Sequence, residues 1–204
     1  METVKLNRNK VFTTRALVLC SMLSVMAFIL MLIESATGLF PPFLKIEASD
    51  VPAAIGTIAY GPVAGVVIEL IKNLLKLIIR GTSTGGVGEL ANFAVGAAYM
   101  AGLGLICSRT KVNSIKRVIF GFVVATFSMA LLGAATNYFV MLPFYSKFMP
   151  MEQIVEVSAA SIPLIKDKLT LVLYGITPFN IVKGILISVL SYFLYKGMKK
   201  AIRF

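Results

Sequence analysis

Asn180 and Lys183 stand one helical turn apart in "YGITPFNIVKGILISVL", residues 174–190, a stretch that is otherwise largely apolar. An amide both donates and accepts hydrogen bonds and an ammonium only donates, so the pair is equipped to read the polar edge of a ligand rather than to break bonds. Asn137 is a third nitrogen-bearing side chain in apolar surroundings, set in "LLGAATNYFVMLPFY" with Tyr138, Phe139 and Phe144 close by. Upstream, "FPPFLKIEASDVP" carries Lys45, Glu47 and Asp50 in a proline-stiffened loop. The chain has no histidine, which excludes His-based triads, His zinc sites and His proton relays; Cys20 and Cys107 are isolated in apolar runs, without metal-ligand or disulfide spacing.

These residues belong to a membrane composition. Of 204 residues 58% are hydrophobic and 14% charged, against about 25% charged in ordinary soluble domains. Residues 16–33, 51–68, 90–108 and 118–146 contain no Asp, Glu, Lys or Arg, and a membrane span needs about 20 mostly apolar residues. The first run follows a basic tail, as a secretory signal would, but it exceeds the about 7 to 15 residues of a signal core and further spans follow it. It reads as a span.

A net charge of +11 raises nucleic acid as a partner, but the placement of the charge favours topology instead. Three clusters hold most of it: Lys5, Arg8, Lys10 and Arg15; Arg109, Lys111, Lys116 and Arg117; Lys196, Lys199, Lys200 and Arg203. The positive-inside rule puts all three in the cytoplasm of a prokaryotic cell and leaves no role for nucleic acid. Both termini are then cytoplasmic, which requires an even number of spans. Gly61-Pro62 splits the stretch from Val51 to Arg80 into two helices joined by a tight turn, because proline disfavours helix at the residue before it and lacks a donor. The expected fold is all-α, one membrane domain over 1–204, with six helices at roughly 11–34, 50–60, 62–80, 88–108, 115–142 and 170–198. "MEQIVEVSAA" in the last outer connection reads as a short helix at the outer interface.

In the third helix Glu69, Lys72, Asn73, Lys76 and Arg80 form one polar stripe at i, i+3, i+4, i+7 and i+11. It serves either to pair charges locally where the helix leaves hydrocarbon or to line the interior. "RGTSTGGVGEL" is a glycine-rich bend that either turns the chain or lets backbone amides approach a ligand; it lacks the lysine and spacing of a phosphate loop. Glu89 at the start of the fourth helix suits that helix's positive end, and Asn92 follows it. A lysine inside a span costs about 2.5 to 3.5 kcal/mol on insertion scales, so Lys183 is expected to face the interior. With the last helix descending from outside, Asn180 and Lys183 share the depth of Asn137, and the Lys45–Asp50 loop lies above them. Amides, one cation, aromatic walls and a cover suit a flat, largely neutral heteroaromatic ligand.

The blocks "LKIEASDVPAAIGTIAYGPVAGVVIELIKNLLKLI", "GTSTGGVGELANF", "NYFVMLPFY" and "ITPFNIVKGILIS", in that order, resemble the riboflavin-specific substrate-binding (S) components of energy-coupling factor (ECF) transporters over nearly the whole chain. The resemblance implies a six-helix bundle that captures riboflavin as a transported ligand rather than a cofactor. It also implies a transmembrane coupling protein and two ATPase subunits as partners. It carries vitamin contacts over to Asn137, Asn180 and Lys183, and ligand closure to the loop of Leu44, Lys45, Ile46 and Glu47, with Asp50 as a further polar partner. In the family, small residues four apart on the first helix dock on the coupling protein; Ala16, Cys20 and Ser24 form such a stripe here, departing from the usual alanine pair.

Overall fold

The computed structural model describes residues 13–36, 38–82, 84–107 and 115–198. Lys5, Arg8, Lys10, Arg109, Lys111, Lys199, Lys200 and Arg203, on which much of the expected orientation rests, lie outside the described residues. The elements run α1 (Thr14–Met31), β1 (Ser35–Ala36), β2 (Lys45–Ile46), α2 (Asp50–Tyr60), α3 (Pro62–Arg80) and α4 (Val87–Cys107). Then come α5 (Ile115–Tyr145), α6 (Met151–Ala159) and α7 (168–198). The described chain is mainly helical, as its composition requires. The addition is β1 paired antiparallel with β2, Ser35 opposite Ile46 and Ala36 opposite Lys45, which folds the first loop into a hairpin.

Local chemistry sets the boundaries. The Thr13 side chain accepts from the Ala16 amide at 3.3 Å and caps α1. Gly61, at φ 95°, ends α2, and Pro62 opens α3 with its missing donor where no helical partner exists. Asp167 caps α7 by accepting from the Thr170 amide at 2.7 Å. That backbone bond, with the Thr170 hydroxyl, holds the Asp167 carboxyl below its usual range by favouring the charged form.

Among the described residues, four helices are long and apolar enough to cross a membrane: α1, α4, α5 and α7. The 11-residue α2 extends about 16 Å at 1.5 Å per residue, roughly half of a 30 Å hydrocarbon layer. It is a core helix, buried from Asp50 to Thr57. Around it pack Ile68, Tyr99, Met100, Leu103, Met129 and Ile187, with the Tyr99 hydroxyl 2.7 Å from the Ser188 hydroxyl across α4 and α7. A second cluster of Leu142, Ile154, Ile165, Leu171, Val172 and Ile176 joins α6 to the adjoining parts of α5 and α7. Outward-facing side chains include Leu17, Met22, Phe127, Leu131, Leu186 and Phe193, a surface solvated by hydrocarbon.

Glycine sets the α3–α4 approach. A Cβ on Gly104 would lie 2.8 Å from Pro62 Cα and 2.9 Å from Pro62 Cδ, a backbone atom and a ring atom that cannot rotate aside. Gly104→Val is therefore expected to destabilise the bundle by about 1 to 3 kcal/mol through overpacking, read as a lowered unfolding temperature in detergent. Gly197→Ala, with nothing within 4 Å of the added carbon, should leave that temperature nearly unchanged.

Candidate functional site

The polar residues singled out by the sequence meet in two adjoining places, both built on α7. In the first, the Lys183 ammonium lies 3.2 Å from Asp50 Oδ2 and 3.3 Å from Glu47 Oε1, tying α7 to the first loop and to the start of α2. Asp50 is shared. Its other oxygen, Oδ1, receives the Lys72 ammonium at 2.5 Å, and Lys72 also reaches Glu69 Oε2 at 2.6 Å and Ser49 Oγ at 3.0 Å. Asn92 of α4 donates its amide to Glu47 Oε1 at 3.1 Å. Lys72, Glu69 and Asp50 are at most 1% exposed, so these are desolvated charges held by pairing.

Glu47, Asp50 and Glu69 are three carboxylates against the two ammonium groups of Lys72 and Lys183. Several acceptors remain without a donor among the described residues: Glu47 Oε2, Glu69 Oε1, Asn73 Oδ1 and Asn92 Oδ1, all buried. The site is therefore acceptor-rich, and a ligand bearing hydroxyl or N–H groups complements it.

The second place is Gly133. The Asn137 amide donates to the Gly133 carbonyl at 2.8 Å, and Asn180 packs on the same glycine so closely that a Cβ there would lie 2.7 Å from its Nδ2. Gly133 thus lets Asn180 of α7 pack against α5, one turn before Asn137. Each helix also carries a π segment here, Asn137–Met141 in α5 and Leu171–Ile176 in α7, and the two pack against each other. Such wide turns re-aim the side chains that follow them and recur at functional sites. Asn180 donates to the Ile176 carbonyl at 2.9 Å, which leaves its second N–H for other work.

The first loop closes this region through aromatic contacts. Phe40 meets Phe179 edge-on at 5.4 Å, and Phe43 lies 6.3 Å from Tyr145. Leu44 packs into the cluster formed by α5, α6 and α7, and Ile46 is half-buried in β2. Lys45 points out and pairs with Glu34, whose other oxygen is 4.0 Å from Lys76. Of the loop's expected contact residues, Glu47 and Asp50 reach α7 through Lys183, whereas Lys45 binds the hairpin's own flank.

Of the two readings of a small-residue stripe, docking on a partner helix or packing inside the bundle, the burial accords with the second: Ala16, Cys20 and Ser24 are 0, 6 and 0% exposed, and α1 packs on α2 and α3. Small side chains permit close helix approach, and here the approaching helices are the chain's own. The exposed face of α1 carries Leu17, Val18, Met22, Val25, Met26 and Ile29 instead. The glycine-rich bend takes its turning role: Gly81, Gly85 and Gly86 have φ of 72°, 59° and 87°, and Glu89 accepts from the Thr82 hydroxyl at 2.8 Å. A cleft of about 380 Å³ lies between α3 and α4 beside this bend; Asn73 and Glu89 line it, but Asn137, Asn180 and Lys183 do not.

Ser49, Glu69, Lys72 and Asn92 complete the network without having been assigned to it from sequence. The spacing of Glu69, Lys72 and Asn73 signalled an inward polar face, and the structure shows that local pairing and inward orientation hold together. Nothing in the spacing named Asp50 as the partner of Lys72.

Fold and site together define a helical membrane protein with a polar site enclosed beneath one surface loop. The family model of the substrate-specific component of ECF transporters matches residues 15–195, and the chain belongs to that family. It is 38% identical over 188 residues to the riboflavin transporter FmnP of Bacillus subtilis (strain 168), covering 91% of this chain and 92% of that protein. Its identity to the riboflavin transporter RibU of Staphylococcus aureus (strain TCH60) is 35% over 185 residues, 90% of each chain. The structure is similar to that of the S component of a bacterial ECF transporter, with a TM-score of 0.73, 34% identity, and coverage of 92% of this chain and 97% of the other.

Asp50 is the bridge between two buried ammonium groups, so Asp50→Ala removes a partner from both, leaving Lys72 with Glu69 and Ser49 and Lys183 with Glu47. The expected loss is about 1 to 3 kcal/mol of stability, that of a buried hydrogen bond to a charged group, measured by denaturant unfolding in detergent. Glu152→Ala on the exposed face of α6 should change it by less than about 0.5 kcal/mol.

Proposed function

We propose that this chain is the high-affinity riboflavin-capturing subunit of an ECF-type transporter, working without chemistry of its own. Uptake is driven by ATP hydrolysis in two partner ATPases and transmitted by a transmembrane coupling protein. The observation that carries this reading is the burial of Asn180 and Lys183, 5 and 6% exposed, where the first loop meets α7. Relatives named riboflavin transporters cover nine-tenths of the chain.

The chemistry supports it. The pyrimidine edge of a flavin alternates acceptor oxygens and nitrogens with one N–H. Asn137 and Asn180 can meet both kinds of group, since each spends one N–H inside its own helix. Lys183 spends two of its three donors on Glu47 and Asp50, which leaves the third for a ligand oxygen. The ribityl chain brings hydroxyl donors, and Glu47 Oε2 and Asn92 Oδ1 are buried acceptors of the matching kind. Phe40, Phe179 and the apolar residues around Leu44 suit the dimethylbenzene end.

For the membrane arrangement, α1 to α5 and α7 form the six-helix bundle, the short α2 running inward and α3 returning the chain to the outer side through the turn at Gly61-Pro62. Both termini then lie in the cytoplasm of a prokaryotic cell, and α6 lies at the outer interface. A cysteine placed at Gln153 should react with a membrane-impermeant maleimide in intact cells. The native Cys20 and Cys107, both buried, should stay silent. Protection of that cysteine until the cells are lysed would reverse the orientation.

Protein purified from cells should carry a yellow, riboflavin-identifiable chromophore. In flavin fluorescence titrations Lys183→Ala should weaken binding about 10- to 100-fold, the loss of a charged hydrogen bond, and Asn180→Ala about 3- to 10-fold. Lys199→Ala should be nearly silent. A colourless preparation without riboflavin affinity refutes the assignment, and riboflavin uptake into liposomes lacking any ATPase module would mark an autonomous carrier.

A further inference from the structure

The ion network contains a residue that the ligand chemistry above does not use. Lys72 of α3 is 0% exposed; it donates to Asp50 Oδ1 and Ser49 Oγ at 2.5 and 3.0 Å and is ion-paired with Glu69 Oε2 at 2.6 Å. These three partners enclose its ammonium. Its partners Ser49 and Asp50 are consecutive residues at the point where the first loop becomes α2, and the second oxygen of Asp50 faces Lys183 at 3.2 Å. A chain of contacts therefore runs from α3, through the anchored end of the loop, to the ammonium on α7.

We propose that Lys72 is a positioning residue for ligand capture: by fixing the Ser49–Asp50 step and occupying one Asp50 oxygen, it sets where Lys183 is held and keeps one Lys183 donor free for the ligand. The inference rests on the riboflavin reading of the same site. Without Lys72, Lys183 is the remaining cation in the network facing three carboxylates. Its donors are then drawn into Asp50 and Glu47 and away from the ligand. Glu69 completes the arrangement from the far side, packed against Gly96 of α4, where a Cβ would lie 2.5 Å from Glu69 Oε2. It holds Lys72 in place without touching Asp50 or Lys183 through any described bond.

Lys72→Met alone leaves buried carboxylates unpaired and can fail to fold, so the test uses Lys72→Met/Glu69→Gln, which removes one charge of each sign. Folding is checked by monodispersity and unfolding temperature in detergent, and riboflavin affinity by fluorescence titration in the parent protein and in a Lys183→Met background. The expected result is a folded protein with affinity down by about tenfold in the parent background and by less than about twofold when Lys183 is already absent, the non-additivity of residues acting in series. Parent-like affinity in the folded double variant overturns the proposal, because Lys72 would then only neutralise Glu69. An equal fold-loss in both backgrounds also overturns it, by showing a general structural effect. If the double variant does not fold, Ser49→Ala, which removes the Lys72 contact to the root of the loop and leaves every charge and every Lys183 partner in place, is put through the same cycle with the same two outcomes. Failure of the unaltered protein to bind riboflavin refutes the functional reading instead, and is seen before any variant is made.

Discussion

A carboxylate shared between two buried ammonium groups is the constraint around which this molecule is arranged. Moving an ion out of water costs several kcal/mol even after relaxation, and the cost is recovered only if partners stand at hydrogen-bonding distance. Asp50 meets that demand for Lys72 on one side and Lys183 on the other, so α3, α7 and the start of α2 cannot shift independently. Glu47 and Asn92 extend the same condition to the first loop and α4. Apolar packing in a membrane is non-directional, because lipid tails are as apolar as leucine. The ion network supplies the missing direction.

Around this centre the helices depart from regularity only where the site requires it. The two π segments lie side by side on α5 and α7, the first beginning at Asn137 and the second ending at Ile176, one turn before Asn180. Gly133 is a spatial necessity, since the Asn180 amide fills the volume a side chain would take. The aromatic contacts of Phe40 and Phe43 hold the loop against Phe179 of α7 and Tyr145 of α5. The buried polar groups and the apolar loop contacts are thus contributed by different segments of the chain.

Much of this was legible in the sequence, for reasons that can be named. Uncharged runs gave α1, α4 and α5, three of the four long apolar helices, because charge is costly in hydrocarbon at that length; the remaining run, 51–68, fell across the α2–α3 break, and α7 carries Lys183 within its span. Gly61-Pro62 gave the α2–α3 break because both residues act on the local backbone. Asn180 and Lys183 stood out because their burial in an apolar helix needs a reason, and both are buried. What stayed hidden depended on partners distant in sequence. The spacing of Glu69 and Lys72 showed a face, but the choice of Asp50 as bridge is tertiary. The stripe of Ala16, Cys20 and Ser24 promised close helix approach without saying whose helix approaches, and the chain's own helices took it. The π segments add one residue to a turn, too small a drift for hydrophobic periodicity to register. The β1–β2 hairpin is two residues a side, below the length at which alternation is a signal.

The first loop is fastened very unequally along its length. Its far end, at Ser49 and Asp50, is locked by fully desolvated charges, whereas its near end is held by the exposed Lys45–Glu34 pair and ring edges, contacts that water replaces at little cost. The loop is therefore cheaper to displace at its hairpin tip than at its root. Motion at the root requires a rearrangement of α3 or α7, so that end of the loop moves only with the bundle.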